Sequence, residues 1–390
     1  MSFESRRAKA LEMLKATGMW PSNYEPPILR VLSRLTALSA ILLLVLEQAP
    51  GNAATTTADA PAFGLLPDTV CTAADKAVDE KGFVRIGGME QWVRIKGASC
   101  AKPVIVVVHG GPGNPNTPFA DNLFKAWEKD YIVVQWDQRG AGMTFGRNPV
   151  TDDEPLVPER LRDDGVEVAR YAAKRFGKRK VILMGGSWGS VIGVYMAKFN
   201  PEMFCAYVST SQVVNRSGER ASYDATLALA RAANDADSVA KLEALGPPPW
   251  TNPRNLGILR RVMRKHEALR TEPAPKAWWV FSPEYTTTKA EADYTAGEDY
   301  SWLQYVGMKG DGIASKIDLY KLGPKFGLPF YMLQGQEDLL TMPEPSKRYF
   351  DFIEAPSKEF VMVPRAGHDP NQLMMDAQYR VLRERVGGCR

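Results

Sequence analysis

Val181-Ile182-Leu183-Met184-Gly185-Gly186-Ser187-Trp188-Gly189-Ser190 decides the fold. Four apolar residues rich in β-branching make a short buried strand. Gly185, Gly186 and Gly189 surround a single serine, and Ser190 to Phe199 then carries an apolar helical pattern. A strand, a sharp glycine-flanked turn and a helix, with G-x-S-x-G across the turn, lift a serine hydroxyl above the edge of a sheet. The helix N-terminus beside it favours negative charge developing there.

The same alternation extends on both sides. Phe83–Ile86 and Gln91–Ile95 are expected to pair around the Gly87-Gly88 turn. Val104–Val108 is an unbroken β-branched run, as in a strand buried on both faces, and Tyr131–Trp136 is another. A helix is predicted over 158–176, strands over Lys180–Met184 and Phe204–Thr210, then strands again over Phe330–Gln334 and Glu359–Val363, and a closing helix over 371–386. Strands alternating with helices predict a mostly parallel sheet covered on both faces. Residues 212–325 break the alternation. They are helix-like, interrupted by prolines and rich in Trp and Tyr, and are expected to form a helical cap inserted into the sheet domain. The expected organisation is an N-terminal segment over 1–53, the first part of an α/β core over 54–211, the cap over 212–325, and the second part of the core over 326–390.

A lone serine needs a base, and the chain has three histidines. In this kind of site the partners follow in the chain order nucleophile, acid, histidine. Only His368 comes after both Ser187 and a suitable acid, and it stands beyond the last predicted strand. Asp338, in Gly335-Gln336-Glu337-Asp338, is the expected acid, with Glu337 as its neighbour. Its task is to accept the imidazole N–H and stabilise the imidazolium. His266 is expected at the surface and His109 in a loop scaffold. The oxyanion donors are expected to be the backbone N–H groups of Trp188 and of Gly111, in the His109-Gly110-Gly111-Pro112-Gly113 loop.

These motifs together, His109–Gly113, Asp137-Gln-Arg-Gly-Ala-Gly142, Gly185–Ser190, Gly335-x-x-Asp338 and Gly367-His368, resemble the proline iminopeptidase (prolyl aminopeptidase) family. The resemblance spans roughly residues 80–385 and is weakest in the cap. It implies an α/β-hydrolase fold with a helical cap, a triad of Ser187, Asp338 and His368, no metal, and release of an N-terminal residue, preferentially proline. The sequence departs from the family in two places. The D-Q-R-G-x-G-x-S run ends here in Met143-Thr144, and no Trp-Glu pair occurs in the cap to hold the substrate's amine. Glu284, Glu298 and Asp299 are the candidate substitutes, with Glu298 favoured. An esterase or amidase acting on small hydrophobic acyl compounds is the alternative. A non-catalytic binding protein on the same fold is a third reading, opposed by a complete triad.

Composition limits the partners. Of 390 residues, 45% are hydrophobic and 24% charged, which suits a large globular core. The formal net charge is +4, but 1–53 holds six basic and four acidic residues, leaving 43 basic against 41 acidic in the body. No basic face for nucleic acid is expected, and Arg260, Arg261, Arg264 and Lys265 are read as a solvated helix face. The expected partner is a small peptide or acyl substrate, with no cofactor and no metal, and nothing in the sequence signals an oligomer. The uncharged run 35–46, preceded by Arg30 and Arg34 and followed by Gly51, Ala53 and Ala54, has the features of a secretory signal. Periplasmic or secreted location is therefore expected, with membrane association only if that segment is retained. Twelve apolar residues are short for a bilayer span. Cys205, in an apolar run, is expected as a buried thiol. Cys71 and Cys100 flank the first strands, and an exported chain would allow them to pair.

Overall fold

A computed structural model describes residues 63–386 and Cys389, apart from 73, 74, 149 and 151–154. The expected signal over 1–53 lies outside these residues. Eight strands form one sheet in the order β1-β2-β4-β3-β5-β6-β7-β8. They are β1 Val78–Ile86, β2 Met89–Gly97, β3 Val104–Val108, β4 Ile132–Trp136, β5 Val181–Gly186, β6 Phe204–Thr210, β7 Phe330–Gly335 and β8 Lys358–Val363. β1 and β2 form a hairpin in which Ile86 faces Met89, and β2 meets β4 antiparallel. From β4 to β8 every pairing is parallel.

The Val-Ile-Val-Val-Val run shows why the sheet is covered twice. All five residues of β3 are buried. Val104, Val106 and Val108 join one apolar cluster, and Ile105 and Val107 join the other. Side chains alternate across a strand, so an unbroken apolar run needs apolar cover on both faces. One face receives α2 (Pro158–Arg175), α3 (Trp188–Phe199) and part of α8 (Pro343–Phe352). The other receives α9 (Gln372–Glu384) and the Leu123, Phe124 and Trp127 side chains. A one-turn helix, α1 (Gly142–Arg147), follows β4.

Between β6 and β7 the chain leaves the sheet through α4 (Ser217–Ala232), α5 (Ala236–Leu245), α6 (Arg254–Ala268) and α7 (Thr288–Val306). The first three build their own apolar cluster from Tyr223, Leu242, Trp250, Leu259, Val262 and Met263, and Leu339 from the sheet domain inserts into it. Helix α7 packs on the other side, so close to the Gly113 backbone that a Cβ there would stand 2.9 Å from the Glu298 Cα.

The cysteines pair as Cys71–Cys100 and Cys205–Cys389, with Cα separations of 6.0 and 5.7 Å. Cys205 is therefore not the free buried thiol its apolar surroundings suggest. It is the second residue of β6, on the face covered by α9, and the chain returns to that face 184 residues later.

Candidate active site

Ser187 occupies the turn between β5 and α3 with φ 52° and ψ −124°, a left-handed conformation that a serine adopts only under constraint. The constraint comes from close packing behind it. A Cβ on Gly189 would lie 2.1 Å from the Val108 carbonyl oxygen, and one on Gly185 would lie 2.4 Å from the Gly189 carbonyl oxygen. Ser187 N–H donates to Thr210 O at 3.1 Å, tying the turn to β6.

Three loops at the C-terminal ends of the parallel strands bring the triad residues together. His368 Nε2 is 2.9 Å from Ser187 Oγ, and its Nδ1 is 3.1 and 3.2 Å from the two oxygens of Asp338. Asp338 is fully buried and accepts from Thr341 Oγ1 at 2.6 Å, Thr341 N at 2.7 Å and Leu340 N at 2.9 Å. Burial alone would raise its carboxyl, but the His368 charge and the hydrogen bonds from His368 and Thr341 outweigh it and hold the group below the ordinary carboxylate range. The converse holds for His368: burial would lower it, and Asp338 raises it above its ordinary value. Glu337 is turned away, into an ion pair with Arg270 at 2.5 Å.

His109 does not enter this chain of bonds. Its Nε2 accepts from Gln138 N–H at 3.1 Å, while the Gln138 side chain donates to His109 O at 2.9 Å. Burial holds its imidazole down to about 4, so it is neutral at neutral pH. Arg139, next along, donates to both oxygens of Asp164 and to Gly87 O. The Asp137–Gly142 segment is thus a brace for the glycine loop. Thr144 keeps the hydroxyl at the end of that segment: it donates to Asp137 O at 2.7 Å and accepts from Trp92 N–H at 2.8 Å.

Gly111 and Trp188 line the same cavity as Ser187. Trp188 is the first residue of α3, where the backbone N–H has no partner within the helix. Gly111, at φ 109°, has a conformation that side-chain-bearing residues rarely adopt. The cavity is lined on the helical side by α4 and α6 and is open to solvent.

The three acids proposed for an amine fall in different places. None of the three is among the residues lining the cavity, and Glu284 is the one held elsewhere by cations. Its carboxylate is buried against Lys81 at 3.0 Å and Arg94 at 3.9 Å, beside the β1–β2 hairpin. Glu298 sits beside the glycine loop, accepting from Asn114 Nδ2 at 2.7 Å. Burial, and then the charge of Asp299, pushes its carboxyl up to about 8. Asp299 is partly buried on the next position of α7.

Four features escape sequence reasoning. Glu267, at the end of α6, lies behind the triad: Oε1 accepts from Leu339 N–H at 2.7 Å and Oε2 from His368 N–H at 3.2 Å. One carboxylate thereby holds both loops that carry the acid and the base. Glu219 lines the cavity and is gripped by Arg216 at 3.0 and 3.2 Å. Arg260 also faces the cavity, while Arg261 and Lys265 on the same helix are exposed. His266, expected at the surface, is 3% exposed, with Nε2 3.2 Å from Asp235. Only the register of α6 and the return of the chain could have revealed the Glu267, Arg260 and His266 contacts, whose partners are distant in sequence, whereas the Arg216–Glu219 pair is local and only its place on the cavity wall depends on the fold.

Residues 103–371 match the α/β hydrolase fold family, and residues 1–38 match a family of unknown function. A probable aminopeptidase of Bacillus subtilis, YbaC, is 25% identical over 292 residues, 73% of this chain and 89% of that protein. The proline iminopeptidase of Lactobacillus helveticus is 29% identical over 139 residues, 35% of this chain and 45% of that protein. The crystal structure of a proline iminopeptidase of Mycobacterium smegmatis superposes with a TM-score of 0.53 at 19% identity, over 78% of this chain and 93% of that one.

Proposed function

The chain belongs to the α/β-hydrolase fold family, and from that premise we propose that it is a serine hydrolase acting as an aminopeptidase on short peptides, preferentially those beginning with proline. The observation that carries this reading is the continuous hydrogen-bonded series from Ser187 Oγ through His368 to the buried Asp338. Ser187 Oγ attacks the carbonyl carbon of the scissile bond as His368 Nε2 takes its proton. The oxyanion forms facing the N–H groups of Gly111 and Trp188. The imidazolium, stabilised by Asp338, gives its proton to the leaving amine. Water then attacks the acyl-enzyme by the same route in reverse and frees the acid.

The peptide substrate rests on likeness to the relatives named above and on Glu298 beside the glycine loop as acceptor for the amine. Ser187→Ala should abolish turnover, with the circular dichroism spectrum unchanged, and a fluorophosphonate should label Ser187 of the native chain. Proline and alanine anilides assayed beside a short-chain acyl ester test the substrate class. Ester cleavage without anilide cleavage would move the reading to an esterase. Full turnover by Ser187→Ala would overturn the mechanism.

We also propose export. Disulfides persist in oxidising compartments, and the Cys71–Cys100 and Cys205–Cys389 pairs support this together with the apolar run 35–46.

A further inference from the structure

The catalytic cavity is lined by a cation that no carboxylate touches directly, although Asp369 and Glu298 lie near enough to favour its charge. Arg260, on α6, lines the cavity together with Ser187 and Gly111. Among the described residues no carboxylate forms an ion pair with its guanidinium, and its recorded contact is the Trp302 ring, whose centroid lies 5.5 Å from the guanidinium carbon.

The charged groups around it act at a distance and supply no direct ion-pair partner: Asp369 favours the Arg260 charge but makes its contact with Arg264. Arg264, one turn further along α6, has the same sign and lies 3.5 Å from Asp369. Glu298, facing from α7, accepts from Asn114 Nδ2 at 2.7 Å and forms no ion pair with the guanidinium. Glu219, the carboxylate on the cavity wall, is occupied on both oxygens by Arg216, which also donates to Gly310 O at 2.8 Å. Burial, then repulsion from Arg264, draws Arg260 down to about 10, so it still carries its charge at neutral pH. A partly desolvated charge without a partner is unfavourable, and breaking or omitting one half of such a pair is costly. An arginine resting on an indole face is also held in one orientation, with its planar fork free to meet a carboxylate through two parallel hydrogen bonds.

We propose that Arg260 is a carboxylate-binding subsite, which receives a carboxylate carried by the substrate away from the scissile bond, in the first instance the C-terminal carboxylate of a di- or tripeptide. The inference rests on the reading of Ser187 as nucleophile and narrows its substrate to small acids. It makes the enzyme one that trims very short free peptides rather than the ends of long chains, because a long chain puts its terminal carboxylate out of reach.

The test compares kcat/KM for Pro-Ala and for Pro-Ala-amide, which differ only in that charge, in the full chain and in Arg260→Met and Arg260→Lys. The native enzyme should prefer the free acid by about 10-fold or more. Arg260→Met should bring the ratio near one, chiefly through KM, and Arg260→Lys, which keeps charge but not the fork, should retain part of it. A native ratio near one, or a ratio unchanged in Arg260→Met, overturns the proposal. If no peptide is cleaved but esters are, the aminopeptidase reading fails separately. The glutarate monoester of p-nitrophenol against its acetate ester then carries the test. A preference for the acid that Arg260→Met removes supports the subsite on the acyl side, and no preference overturns it. Inhibition of ester cleavage by N-acetyl-alanine but not by its amide gives the same answer without any variant, and equal inhibition by both counts against it.

Discussion

Glu267→Gln separates the positioning of the triad from its chemistry. The native carboxylate is 6% exposed and accepts two backbone N–H groups, those of Leu339 and His368. Glutamine has the same shape but one acceptor. Its amide nitrogen must face one of the two N–H donors, which leaves a buried donor unpaired at a cost of about 1–3 kcal/mol. The longer contact, 3.2 Å to His368 N, is the one expected to be given up. The substitution also changes titration. Burial, and then the Asp338 charge, pushes the Glu267 carboxyl up to about 7, and the Glu267 charge in turn helps raise His368, so the protonation of the two is linked. The proposed mechanism needs neutral His368, so kcat/KM is expected to fall as pH drops. Removing a negative neighbour weakens the hold of the imidazole on its proton, and the acid limb should move to lower pH. Stability has its own sign. Between the ordinary value of 4.5 and about 7 the folded chain keeps a proton that the unfolded chain has lost, so this group makes stability fall as pH rises through that window. Glu267→Gln should flatten that slope. The assay is urea unfolding at pH 5 and pH 8 with a kcat/KM profile for a neutral ester, on both proteins. An unmoved acid limb together with an unchanged unfolding midpoint would refute the coupling.

Other outcomes follow from the same structure. Gly189→Ala places a Cβ 2.1 Å from the Val108 carbonyl oxygen, so it should destabilise by about 1–3 kcal/mol or more and remove activity, checked by unfolding and by ester hydrolysis. Glu298→Gln should lower kcat/KM for a proline anilide by about 10-fold, or about 1.4 kcal/mol of transition-state binding, with little effect on a neutral ester. Equal losses on both would assign Glu298 to holding Asn114 and the glycine loop instead. Mass spectrometry of the periplasmic or secreted protein should find a mature chain beginning near residue 54, and an intact N-terminus in a cytoplasmic pool would overturn export.

The triad was legible because each member carries a local signature. Ser187 has a strand before it, a helix after it and small residues around it, all within ten residues of sequence. Asp338 and His368 each follow a strand, and chain order then assigns them. The acids of the helical segment had no such signature. Whether Glu284 meets an amine or a cation depends on Lys81 and Arg94, about 200 residues earlier in β1 and β2, and no local pattern encodes that meeting.

The sequence by itself determined the strands, the doubly covered sheet, the elbow and the order of the triad, because these depend on steric preference and apolar periodicity within a few residues. Tertiary structure alone decided what depends on burial and on distant partners. It brought Cys389 to Cys205, set Glu267 against two backbone donors of the triad loops, and turned Arg260 from an apparent surface charge into the wall of the cavity. The physical reason is that a charge or a thiol takes its behaviour from the dielectric and the groups that surround it, and those are assembled only when the helices between β6 and β7 fold back over the ends of the strands.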